Sequence, residues 1–296
     1  MKISDLLPVR FKNYALCERG LQVNTFKQIA ATLRTVCEFT RTEEVSELTT
    51  NILRNFLHNG RIERAWSPKT FRFHWQNLKT FFDWCVKNGI VKSNPVEPIE
   101  RPKLEKRLPR CISREDAQKM LYHASFHRWT YEIERTRNHA IMATFLFSGL
   151  RHQELLNLEI GDVSLHGEEI FVKQGKNRKD RIVPMHPRLI PILREYFAAR
   201  QKLVTAPSQW FFYSIRGMKL QQRDIKRIYQ TIANDSGVYF TPHMLRHTFA
   251  KLAIEGDLNL FKLKEIMGHE QITTTQGYLS IATDNIKKSF SKIKLL

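Results

Sequence analysis

Residues 169–185 read Glu169-Ile-Phe-Val-Lys-Gln-Gly-Lys-Asn-Arg-Lys-Asp-Arg-Ile-Val-Pro-Met185. Two short runs with β-branched and aromatic residues, Glu169–Gln174 and Arg181–Met185, flank a polar turn, Gly175–Asp180. That pattern predicts an antiparallel hairpin with a cationic tip. From Asp162 to Met185 the period is strand-like, and on both sides of it the period is helical. The fold class follows: mainly α with a small antiparallel β-sheet.

Upstream of the hairpin, the apolar run His139–Ser148 predicts a helix ended by Gly149. Ser113-Arg-Glu-Asp116 resembles a capping box that opens this half of the chain. Downstream, helices are predicted over Arg188–Lys202, Gln222–Ala233, His243–Glu255 and Leu258–Met267. The tail Asp284–Leu296 is amphipathic, with Ile286, Phe290 and Ile293 on one side. It suits docking in a neighbouring subunit or packing on its own domain.

The first hundred residues predict helices only. Gln22–Phe39 places Phe26, Ile29, Leu33, Val36 and Cys37 on one face. Ser67-Pro68 is an N-cap followed by Pro at the first helical position, and Gly89 is the matching stop. The stripe Phe71, Trp75, Leu78, Phe82, Cys85 between them reads as core rather than a base-stacking platform. Helices near Ile3–Glu18 and Glu47–His58 complete a four-helix domain. Between Asn94 and Pro109 the pattern breaks: Pro95, Pro98, Pro102 and Pro109 alternate with Arg101, Lys103, Lys106 and Arg107. This stretch is a generic charged linker or a boundary lying along a phosphate backbone. The expected organisation is residues 1–100 helical, 101–110 a basic Pro-rich linker and 111–296 a second, α+β domain.

Charge narrows the class of partner. Forty-eight Lys and Arg face 29 Asp and Glu, a net +19. Of this surplus 8 falls in residues 1–107 and 11 in 108–296, so it is spread along the chain. Such an excess favours a polyanion, because each cation at a phosphate releases counterions. The longest nearly apolar run, Ala140–Phe147, is too short to span a bilayer, and the N-terminus turns polar at once. Cys17, Cys37, Cys85 and Cys111 lack paired spacing and read as reduced thiols, hence as a cytoplasmic protein.

Five stretches hold side chains suited to phosphoryl transfer: Ser148-Gly-Leu-Arg-His-Gln-Glu-Leu155, the hairpin tip with Lys176, His243-Met-Leu-Arg-His247, Met267-Gly-His269 and Thr273-Thr-Thr-Gln-Gly-Tyr278. Each alone is weak. Arg151 also fits a structural ion pair, Lys176 a solvated turn, and a lone Tyr is most often a packing residue. His243 and His247 have the spacing that begins a zinc site, but no third ligand is suggested. His269 also fits an ordinary helix C-terminus favoured by the dipole.

Taken in order, these stretches resemble the tyrosine recombinases of the lambda-integrase family. Arg in Ser-Gly-Leu-Arg-x-x-Glu-Leu, Lys on a hairpin, His-x-Leu-Arg, a later Gly-His and a Tyr nine positions on form that signature. The likeness extends to the helical first half and the linker, as in compact Xer-type members and simple mobile-element integrases. Gly-Lys-Asn where Gly-Lys-Gly is common, Gly277 before Tyr278 and Leu-Ser after it depart from the Xer pattern.

The resemblance implies the fold, a core-binding domain plus a catalytic one, and the roles. Tyr278 attacks a DNA phosphate to give a 3′-phosphotyrosyl bond. Arg151 and Arg246 grip the phosphate, His243 is general base, Lys176 protonates the leaving 5′-oxygen and His269 hydrogen-bonds the phosphate. Glu154 is expected to orient a basic neighbour. The implied partner is double-stranded DNA at inverted-repeat sites, with four protomers assembling on it, with or without a second recombinase. A Holliday junction is the implied intermediate, and neither metal, ATP nor another cofactor is implied. Integration or excision and dimer or cointegrate resolution all fit. The alternatives are a catalytically silent DNA-binding accessory protein, a type IB topoisomerase-like enzyme and a helical RNA-binding module.

Overall fold

A computed structural model describes residues 1–105, 108–173, 180–202 and 208–278. The chain divides into two compact units, Met1–Lys106 and Arg107–Leu296.

The first unit is helical. A short α1 (Ile3–Leu6) passes into two wider π-helical turns, Leu7–Phe11 and Tyr14–Glu18, where the sequence predicts one continuous helix. Pro8 lies in the first of these turns and has no N–H with which to continue the α ladder. Helices α2 (Val23–Thr40), α3 (Thr50–Ile62) and α4 (Pro68–Lys87) follow. Thr49 and Ser67 cap the last two, each side chain accepting from the backbone N–H three residues on. The α4 stripe of Phe71, Trp75, Leu78, Phe82 and Cys85 is buried with Ile29, Leu33, Leu53 and Phe56. Trp75 Nε1 donates to the Ile99 carbonyl at 2.8 Å, and the Arg101 guanidinium lies 4.7 Å above the Trp75 ring. These contacts tie the Pro-rich segment to this core.

The second unit is built around α6 (Glu132–Ser148). Its residues Ala140–Phe145 are all buried, as expected of a helix surrounded by others. It packs against α5 (Arg114–Phe126), α8 (Leu189–Gln201) and α10 (Pro242–Glu255). Beyond α6 come α7 (His152–Leu156) and the strands β1 (Val163–Ser164), β2 (Glu169–Val172) and β3 (Arg181–Pro184). The strands form one antiparallel sheet in the order β1-β2-β3, with Ile170 opposite Val183 in the hairpin. Helices α9 (Gln222–Ser236), α11 (Leu260–Met267) and α12 (Ile272–Gln276) complete the described chain. Ile170, Val172 and Val183 turn into the main core beside α6. A smaller cluster of Ala250, Ile254, Leu263, Met267 and Tyr278 lies apart from it.

Thus the architecture is mainly α with a three-stranded antiparallel sheet, as the hairpin stretch predicts. All four cysteines are free thiols. Among the described residues, no helix is long and apolar enough to cross a membrane.

Candidate active site

Two helix ends create the site. Gly149 ends α6 at φ 62°, and a Cβ there would meet the Phe249 ring at 2.3 Å. Only glycine both turns left-handed and lets α10 approach so closely. Gly268 ends α11 at φ 61° with the Arg181 guanidinium about 3.0 Å from where a Cβ would stand. Each stop leaves carbonyls at the negative end of a helix without intrahelical partners.

Three arginines take up those carbonyls. Arg246, on α10 and 4% exposed, donates from one Nη to the Gly149 carbonyl and from the other to Met267 at 2.6 Å. Arg151, the N-cap residue of α7, donates to the Gly268 carbonyl at 2.6 Å and to Glu154 Oε1 at 2.6 Å. Arg181, the first residue of β3, donates to the Ile266 carbonyl at 2.8 Å and clasps Glu154 with both Nη, at 2.9 and 2.7 Å. Glu154 also accepts the Arg151 backbone N–H at 2.8 Å, reaching back over the first turn of α7. The two guanidiniums and that amide outweigh burial and hold its carboxyl at about 2. Burial and the neighbouring Arg151 lower Arg246 to about 10, which leaves it charged at neutral pH.

Tyr278 lies beside Arg246 of this cation cluster, 2% exposed. Its hydroxyl is 2.7 Å from Nδ1 of His247. The His269 ring stacks near it, with centroids 6.3 Å apart, while His269 Nδ1 pairs with Thr275 Oγ1 at 2.9 Å. Burial and the three arginines press His269 down to about 4, so its ring is neutral at pH 7. His243 stands one turn before His247, their rings stacked at 6.2 Å. It lines an open groove with His152, Arg216, Lys219, Arg223, Lys226 and Arg227, where Asp224 is the single acid among the described lining residues. Three guanidiniums against one carboxylate leave the site two charges positive, which suits a phosphodiester gaining negative charge.

Of the residues singled out from sequence, Arg151, Arg246, His269 and Tyr278 converge, and His243 faces the adjoining groove. Lys176 lies outside the described residues. Glu154 orients two basic side chains rather than one. Two site residues were missed by the sequence reading. His247 was weighed only as half of a zinc pair, and its position next to Arg246 was the available signal. Arg181 entered only as the first residue of the hairpin's second strand.

Fold and site together describe a DNA strand-transfer enzyme of the tyrosine-nucleophile class. Sequence comparison places the chain more narrowly: residues 111–284 match the phage integrase family. The chain belongs to that family, as a tyrosine recombinase that cleaves and rejoins DNA in site-specific recombination. It is 27% identical over 289 residues to the tyrosine recombinase XerC of Thermodesulfovibrio yellowstonii, covering 95% of this chain and 94% of that one. Tyrosine recombinase XerC of Pelobacter propionicus is 33% identical over 218 residues, 73% of this chain and 70% of the relative. Tyrosine recombinase XerD of Listeria monocytogenes is 28% identical over 292 residues, covering 95% and 96%. Among solved structures, the XerH recombinase bound to palindromic difH superposes with a TM-score of 0.73 at 21% identity, covering 93% of this chain and 81% of that one. A lambda integrase dimer on a COC′ core site gives 0.72 at 17% identity, with 94% and 77% covered.

Proposed function

We propose that this recombinase acts on double-stranded DNA at inverted-repeat sites, with Tyr278 as the nucleophile that forms a 3′-phosphotyrosyl bond and releases a 5′-hydroxyl. The observation that carries this reading is the Tyr278 phenol held beside Arg246, His247 and His269, in a site with surplus positive charge. A phenol with a pKa of about 10 attacks poorly at neutral pH unless a base or a cationic pocket assists it. Arg151 and Arg246 present forked donors to the non-bridging oxygens of the phosphate, and His269 adds a hydrogen bond. Lys176 protonates the departing 5′-oxygen. The energy of the broken bond is kept in the phosphotyrosine, so these roles call for neither ATP nor a metal.

The basic groove beside His243 supports a phosphate backbone passing this face. Residues 1–100 act as the core-binding domain, 101–110 as the linker crossing the duplex, and 111–296 as the catalytic domain with its C-terminal docking segment. Four protomers pair two sites and exchange strands through a Holliday junction, alone or with a second recombinase, in the cytoplasm. The XerH and lambda integrase neighbours, both bound to DNA sites, support the DNA partner.

The test compares wild type with Tyr278→Phe in the native host. Lysates are denatured and DNA still attached to protein is sequenced. One short inverted-repeat site recovered with wild type and lost in the variant is the expected result. Absence of covalent DNA from wild type, with DNA binding intact, would favour a silent DNA-binding protein.

A further inference from the structure

Burial and the surrounding cations hold His269 at about 4, so its ring carries a single proton at pH 7. A neutral imidazole has one N–H donor and one lone pair, and which nitrogen holds the proton decides what it can bind. The non-bridging oxygens of a phosphodiester only accept. The nitrogen that meets them must therefore be the protonated one, with the other kept as an acceptor. His269 Nδ1 lies 2.9 Å from Oγ1 of Thr275, six residues on in α12. Thr275 is 0% exposed, and among the described residues its hydroxyl has no other hydrogen-bond partner. Those two facts give the bond its direction. If Nδ1 held the proton, the hydroxyl would accept it, and the hydroxyl's own hydrogen would be buried without an acceptor. If Nδ1 is bare, the hydroxyl donates and only lone pairs stay unfilled, which costs less. We propose that Thr275 is a positioning residue for His269: its hydroxyl donates to Nδ1, keeps the ring proton on Nε2, and so makes the ring a hydrogen-bond donor to the phosphate. This rests on the reading of His269 as a phosphate-binding group in the Tyr278 reaction.

The surroundings suit that role. Burial first, then Arg246, Arg151, Arg181 and His247, oppose a second proton on the His269 ring. The choice of tautomer, rather than a positive charge, is thus what makes this ring a donor. Its main chain is anchored separately, the His269 N–H donating to the Lys264 carbonyl at 3.1 Å. With the backbone and Nδ1 both held, the ring is fixed in orientation before any phosphate arrives. Thr275 also serves the nucleophile. Its carbonyl accepts the Tyr278 N–H at 3.0 Å, and the Tyr278 and His269 rings lie nearly parallel, 14° apart. Thr275 therefore holds His269 by its side chain and Tyr278 by its main chain. One turn sets the phosphate donor and the attacking phenol together.

The test uses the full-length chain. Nitrogen-15 histidine spectra of the DNA-free wild type at pH 7 read the tautomer, with the His269 signals identified by their loss in His269→Gln. A protonated Nε2 and a bare Nδ1 are expected, and a protonated Nδ1 overturns the proposal. No Thr275 variant has to fold for that reading. Thr275→Val keeps the side-chain shape and removes the hydroxyl, while Thr275→Ser keeps the hydroxyl. On a nicked duplex carrying the site recovered from the covalent-DNA sequencing, Thr275→Val should bind as wild type does in a gel shift. Its covalent complex should form about 10-fold more slowly or worse, and Thr275→Ser should recover most of that rate. In a His269→Gln background, Thr275→Val should slow the reaction no further, because the threonine acts through that ring. A wild-type rate in Thr275→Val, a loss confined to binding, or an equal further loss in the His269→Gln background overturns the proposal. A wild-type rate in His269→Gln overturns instead the place of His269 at the phosphate. A covalent complex still formed by Tyr278→Phe overturns the nucleophile, so the three failures are distinguishable.

Discussion

Glu154 accepts four hydrogen bonds on two oxygens, three from guanidinium groups and one from a backbone amide. Its side chain is only 8% exposed, so removing its charge leaves two half-buried cations face to face. Glu154→Gln should lose on the order of 3 kcal/mol of unfolding free energy at pH 7, read by urea titration. The carboxyl is held near 2 against an ordinary 4.5, so its stabilisation is full above 4.5 and lost as pH falls through about 2. The same substitution should therefore flatten stability against pH across that window. A variant as stable as wild type would mean that the helix-end carbonyls alone hold the arginines. The residue types at the site were legible because phosphate chemistry asks for forked cations, imidazoles and a phenol. His247 was not, since its pairing with Tyr278 spans 31 positions and depends on the path of α11 and α12. Arg181 was hidden for a similar reason: its partners lie 27 and 85 positions away.

Elements ended where the sequence carries local stops, at Gly149 after α6 and Gly268 after α11. The hairpin strands were legible from β-branched alternation, because Ile170, Val172 and Val183 all need the same core. The first turns were not, because a change from α to π register leaves no mark on which residues are apolar. What the pattern also did not reveal is that the nucleophile is outside the main core. Tyr278 packs in a small cluster made by α10, α11 and its own turn. Opening that cluster exposes far less apolar surface than opening the one around α6, and so has a lower free-energy cost. Backbone amides of α12 and Tyr278 should exchange with deuterium well before those of Ala140–Phe145 in the DNA-free protein. Equal protection in both would contradict a separable nucleophile segment.

Across the whole molecule, the charge surplus was legible and its placement was not, since only folding gathers five Lys and Arg along the groove beside His243. Folding also lowers the histidines at positions 74, 139, 152, 186, 247 and 269, mainly through burial. A lowered imidazole binds its proton more readily in the unfolded chain, so its stabilisation is complete above about pH 6.5 and is lost as pH falls toward the folded value. For His269 that value is about 4. The urea midpoint should therefore drop steadily on acidification from about pH 6.5 to 4, while a midpoint flat over that range would contradict the burial of these rings. The arginines have a different dependence. Arg246 and, in part, Arg151 are moored to peptide oxygens at two helix ends, and a peptide dipole fixes a cation without neutralising it. Incoming charge therefore meets an environment already oriented, with little reorganisation to perform. Because the mooring atoms belong to the main chain, side chains such as Ile266 and Met267 can drift in evolution without loosening it, whereas a shift in chain path at either helix end would.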